Sequence, residues 1–179
     1  RVIGSKTGPM SYSLTIEIDK YPDEIIMGVS KLNVELWIGI EEVSDESATY
    51  LAQHRGGLHI YGITELTEFA AKQLGGYRDN LSLDIEAISD SVAKSLSNVG
   101  GNLSLSGKFT HLTDKAIKYI CSHQGPFLTL DSVSEVSNVA ARSLSKYQGS
   151  LSMRGLQILT NEALAEKLFG DDWHFQGEE

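Results

Sequence analysis

The sequence predicts an α/β solenoid, a right-handed coil with a concave parallel sheet inside and helices on its convex outside. Three observations predict it. A Leu-x-apolar motif recurs six times at nearly constant spacing. A hydroxyl residue and then Asp, Glu or Asn follow each motif in fixed register. An apolar stripe of helical period comes after that. Internal repeats of 20–50 residues are the mark of such folds.

The strands come first. The motifs begin at Leu36, Leu58, Leu81, Leu103, Leu128 and Leu151, spaced 22, 23, 22, 25 and 23 residues apart. Apolar alternation over three residues suits a short strand with one buried face. After one to three further residues comes an apolar anchor: Ile40, Ile63, Ile85, Phe109, Val133 or Leu156. Three residues on stands Val43, Leu66, Ile88, Leu112, Val136 or Leu159, followed by Ser44, Thr67, Ser89, Thr113, Ser137 or Thr160. A hydroxyl followed by an acidic or amide residue reads as a helix N-terminus, where orphan N–H groups need an acceptor. The stripe that follows, for example Ala70, Ala71 and Leu74, gives one helical face, and its alanines allow close approach to the sheet. Gly57, Gly101, Gly125 and Gly149 end units, as glycine does after a helix. Such a unit cannot bury its apolar face alone but can when stacked. Seven stacked strands at ~4.8 Å span roughly 30 Å, and the right-handed crossover follows the general rule for parallel connections.

The same template extends upstream through Leu14, Ile16, Ile18, Ile25, Ile26 and Val29. Pro22 replaces the cap and Gly28 weakens the helix, so residues 1–35 read as an N-terminal cap with a degenerate repeat; the competing reading is a plain β-hairpin. Residues 36–167 hold six units. Residues 168–179 read as a C-terminal cap and acidic tail, with Trp173 and Phe175 closing the end of the core.

Composition narrows the function. The chain has 179 residues, one domain's length, and a net charge of −9. That charge argues against non-specific nucleic-acid or anionic-membrane binding, which needs Lys/Arg clusters. No apolar run is long enough to insert in a membrane as a helix. A single cysteine, Cys121, excludes an intramolecular disulfide framework and reads as a structural thiol beside Ile120. The sequence opens on Arg1 without a charged-then-apolar leader, so it reads as a trimmed chain whose localisation stays open.

The fourth unit, with Leu103, Leu105, Phe109, Leu112, Thr113, Asp114, Ala116, Ile117 and Ile120, resembles the leucine-rich repeat family, closest to its cysteine-containing subtype. That subtype writes its second half as Cys-x-x-Ile-Thr-Asp before a helix, and Thr113 and Asp114 match it. The resemblance covers residues 36–167 well and 14–35 weakly. The position that carries Cys or Asn in the family holds the apolar anchors here, so the polar loop ladder is missing. The resemblance implies a recognition scaffold that binds protein or peptide on its concave face, without catalysis.

Strand geometry names the concave residues. The middle row reads Thr15, Trp37, His59, Ser82, Ser104, Thr129 and Ser152; the next reads Glu17, Gly39, Tyr61, Asp84, Ser106, Asp131 and Arg154. Trp37, His59 and Tyr61 form an aromatic end, and Trp and Tyr dominate interface energetics. With Asp84, Asp131 and Arg154 they are the candidate binding residues; the competing reading is that the first unit folds over Trp37. Nearly all spacing variation falls just after the strands, at the rim where loops often carry binding. Relaxed turn length is the plainer account of that variation.

The motifs of other chemistries are missing. No nucleophile elbow, P-loop, dinucleotide fingerprint or zinc helix occurs, and the glycine pairs 56–57, 75–76 and 100–101 read as junction turns. His54 and His123 share a repeat position with Tyr77, Val99 and Tyr147, which marks packing rather than metal ligation. His59, Asp84 and Asp131 stand too far apart for one ion. The sequons at Asn80 and Asn102 lie at strand starts and read as coincidence. The expectation is a non-catalytic protein- or peptide-binding scaffold without cofactor or metal. The alternative is a structural spacer of a larger protein with no dedicated concave-face ligand.

Overall fold

A computed structural model describes residues 2–6, 12–17, 23–157 and 161–170. A hairpin-forming strand β1 (Val2–Lys6) precedes seven strand–helix units. These are β2 (Tyr12–Glu17) with α1 (Asp23–Val29), β3 (Glu35–Gly39) with α2 (Asp45–Leu51), and β4 (Leu58–Ile63) with α3 (Glu68–Gly75). Then come β5 (Leu81–Ile85) with α4 (Asp90–Leu96) and β6 (Leu103–Ser106) with α5 (Asp114–Ile120). The last are β7 (Phe127–Thr129) with α6 (Asn138–Leu144) and β8 (Ser150–Ser152) with α7 (Glu162–Phe169). All eight strands lie in one open sheet in chain order, β1–β2 antiparallel and every later pair parallel. An α/β solenoid is the result. At the N-terminal end β1 pairs antiparallel with β2, and β2 pairs parallel with β3 and is followed by α1.

The leucines set the register. Leu14, Leu36, Leu58, Leu81, Leu103, Leu128 and Leu151 are successive cross-strand partners, so each first motif residue stands beside the next. Leu36 through Leu128 are buried, and the buried faces of strands and helices form one continuous apolar core. Helices therefore cover one face of the sheet. The middle residue of each motif faces the other way, and among the described residues that face carries no helix.

Helices α2 to α6 begin as the hydroxyl pattern requires. Ser44, Thr67, Ser89, Thr113 and Ser137 accept the N–H three residues on, in β3 to β7's units. The last unit differs: α7 is capped by Asn161, whose Oδ1 accepts from Leu164 N–H at 3.1 Å, and Thr160 lies outside the described residues. The hydroxyls have a second task. Ser44 donates to Asp23 and Thr67 to Asp45 at 2.6 Å, and Thr113 donates to Asp90 and Ser137 to Asp114 at 2.5 Å. Each cap thereby ties its helix to the first turn of the preceding one. Ser89 is the exception: it faces the unit that starts with Glu68 and bonds Ser91 instead.

The unit-ending glycines serve close approach rather than helix capping. The helices α2 to α6 end on C-cap residues in right-handed conformation. A Cβ on Gly125 would sit 2.0 Å from the Gly101 carbonyl oxygen, and one on Gly101 2.3 Å from that of Asp79. Gly75 likewise belongs to α3, not to a turn, and lies against the Ser95 carbonyl of α4.

Between helix and next strand runs a column of buried rings at the shared repeat position. His54 packs parallel to Tyr77 and His123 to Tyr147, with ring centroids 6.5 and 6.3 Å apart. Tyr77 and Tyr147 donate to the carbonyls of Gly56 and Gly125, and the His54 ring nitrogens lie 3.1 and 3.0 Å from the carbonyls of Ser30 and Val34. At the C-terminus Leu168 packs on the core and Phe169 is exposed; Trp173 and Phe175 lie outside the described residues.

Candidate functional site

In β3 and β4 the alternation buries Leu36, Ile38, Leu58 and Ile60 and turns Trp37 and His59 to the helix-free face. Register makes Trp37 and His59 neighbours. Their rings stack at 3.8 Å between centroids and 5° between planes. The indole is nevertheless 39% exposed. Among the described residues the first unit does not fold over it: β2 lies alongside, with Thr15 as the partner of Trp37.

Glu35, two residues before Trp37 and on the same face, bonds His59 Nε2 through Oε1 at 3.0 Å. Burial lowers the His59 pKa below the usual imidazole value, against an opposing pull from the Glu35 bond and charge. The neutral ring then carries its proton on Nε2, donates it to Glu35, and leaves Nδ1 as an acceptor. Glycines shape the rest. A Cβ on Gly39 would meet the Tyr61 ring at 2.7 Å, and one on Gly57 would lie 3.3 Å from Glu35 Cγ and 3.4 Å from His59 Nε2. Tyr61 thus lies across Gly39 beside the stacked pair. Burial, and then the Glu17 charge, raise its pKa, so the phenol keeps its proton as a donor.

The structure brings Trp37, His59 and Tyr61 together and sets the other three candidates apart. Asp131 and Arg154 form their own pair. Asp131 accepts from Ser152 Oγ at 2.7 Å and from Arg154 N–H at 3.0 Å, and the Arg154 guanidinium stands 3.8 Å away. That carboxylate joins the last two strands, three strand spacings (about 14 Å) from His59. Asp84 lines a rim groove of about 570 Å³ with Glu41, Gly62, Glu86 and Lys108, the last two ion-paired.

Sequence reasoning missed two residues of this face. Glu35 and Phe127 occupy the position before the motif leucine, which the same alternation places on the helix-free side. Phe127 is 53% exposed. Extending the row reading by one residue finds both.

Elsewhere the groups are structural. His54 and His123 are buried in the ring column. Burial pushes the Cys121 thiol up to about 12, so it is protonated and inert near neutrality. Among the described residues no group of three His, Cys, Asp or Glu side chains is placed to hold a metal ion, and no helix is long and apolar enough to cross a membrane. Comparisons with protein-family models, curated proteins and solved structures find no match to this chain.

Proposed function

We propose that this chain is a non-catalytic scaffold of the leucine-rich-repeat kind, closest to the cysteine-containing subtype, that binds a protein or peptide on its helix-free face around Trp37, His59 and Tyr61. One observation carries the reading: an indole 39% exposed is held rigidly on a sheet face by a stacked imidazole. An ordered, half-exposed aromatic gives contact area with little further loss of side-chain entropy on binding, and such residues anchor interfaces. Thr113 and Asp114 at the start of α5 support the subtype.

The spacer reading draws on a different observation. Beyond β4 the middle row is Ser82, Ser104, Thr129 and Ser152, small side chains that offer a partner little to grip.

Selection from a displayed random-peptide library decides between them. The binding reading expects enriched peptides whose affinity falls at least about tenfold on Trp37→Ala/Tyr61→Ala. A library that enriches nothing, or peptides indifferent to that double variant, favours the spacer.

A further inference from the structure

Between residues 35 and 157 the charges are sorted by face. From β3 to the loop after β6, the strands and the rims that follow them carry Glu35, Glu41, Glu42, Glu65, Asp84 and Glu86. One cation stands among them, Lys108, already paired with Glu86. Between residues 35 and 157 every other Lys or Arg except Arg154 lies in a helix or in the turn after it. The helices and the turns after them also carry Asp45, Glu46, Glu68, Asp79, Asp90 and Asp114, and Lys115 pairs with Asp90 at 3.3 Å. The helical side is therefore close to balanced, while the helix-free face and its rim are anionic. His59, kept neutral by burial, adds no opposing charge in the middle of the face.

We propose that the segment recognised on this face is cationic, an extended Arg- or Lys-bearing peptide with one cation laid on the exposed Trp37 indole near Glu35 and a second in the Glu41–Asp84 rim groove. This rests on the binding role proposed above and adds the chemistry of the partner. Two independent features converge on it. The free face of an indole attracts a cation through its quadrupole, Arg more often than Lys. Carboxylates on both sides of the indole supply the complementary field, which steers encounter and selects against anionic partners.

The test uses a fluorescein-labelled ten-residue peptide of alternating Arg and Thr, its citrulline twin of the same shape without charge, and fluorescence anisotropy. The proposal expects the Arg peptide to bind at least about tenfold more tightly than the citrulline peptide. It expects Trp37→Ala and Glu35→Gln/Asp84→Asn each to weaken Arg-peptide binding about fivefold or more. Glu46→Gln/Glu68→Gln makes the same change in net charge on the helical side and should alter binding less than about twofold. Equal binding of the two peptides, no binding, or equal losses in the face and helix-side variants overturns the proposal, the last outcome marking attraction to net charge alone. Library peptides that are neutral yet sensitive to Trp37→Ala/Tyr61→Ala would overturn the cationic partner and leave the binding face standing. Peptides insensitive to that variant would overturn both.

Discussion

At position 123 a histidine stands where the other late units place Tyr77, Val99 and Tyr147. It is buried, and neither ring nitrogen reaches a hydrogen-bond partner among the described residues. Burial lowers its pKa, opposed by the surrounding backbone of Ser97, Gly101, Phe127 and Val99. An unsatisfied buried polar group costs about 1–3 kcal/mol. In the equivalent rings Tyr147 donates to Gly125 and Tyr77 to Gly56, so His123→Tyr is expected to donate to the Gly101 carbonyl. Stability should rise by about 1 kcal/mol, read as a higher urea midpoint. The same variant tests a pH dependence. His59 and His123 both titrate lower when folded than the usual value of 6.5. The unfolded chain binds protons first as pH falls, so their contribution is complete above 6.5 and is lost as pH drops through the lowered folded values. The urea midpoint of the wild type should fall between pH 7.5 and 5, and that of His123→Tyr should fall less. A wild-type midpoint flat over this range would contradict the burial of these rings. Cys121 gives a third check at this scale: with its thiol raised to about 12, it should react with a disulfide reagent at pH 8 only on unfolding.

The helices are joined by their caps. Removing an N-cap side chain costs about 1 kcal/mol, and here the hydroxyl also bridges to the previous unit. Thr113→Val should therefore destabilise by about 1–2 kcal/mol, because it removes the bond to Ala116 N–H and the bond to Asp90 together. Glu68→Asp tests the bridge from the other side. Its shortened carboxylate takes the place that Asp45 and Asp90 hold in their units, and Ser89 should turn from Ser91 to donate to it. A gain of about 0.5–1 kcal/mol is expected in denaturant unfolding; no gain would mean that the bridges add nothing. Much of this was legible in the sequence. Strand phase and the hydroxyl caps follow from the chain's own periodicity, because each depends on residues within one unit. The cap-to-carboxylate bridges, the packing role of Gly101 and Gly125, and the Glu35–His59 bond were not, because each joins residues 21–24 apart whose approach exists only once the units stack. The α7 cap was misplaced by one residue for a local reason: Thr160 and Asn161 are both capping types, and the backbone used the second.

Over the whole molecule the stack converts sequence spacing into lateral distance. That conversion explains why the candidate residues separate into an aromatic patch on β3 and β4, an acidic rim after β5 and an Asp131–Arg154 pair at the far end. The grouping of Trp37, His59 and Tyr61 was legible because register alone makes them neighbours. The structural use of Asp131, held by Ser152 and Arg154, was not, since a carboxylate in an exposed row looks alike whether it waits for a partner or binds its own chain. The most direct test of the account is the proton NMR contact between the Trp37 indole and the His59 ring, 22 residues apart in sequence. Parallel stacking in register predicts strong cross-relaxation between the two rings and upfield-shifted His59 ring protons. An indole whose contacts run instead to core methyl groups, with none to His59, would contradict both the register and the exposed face.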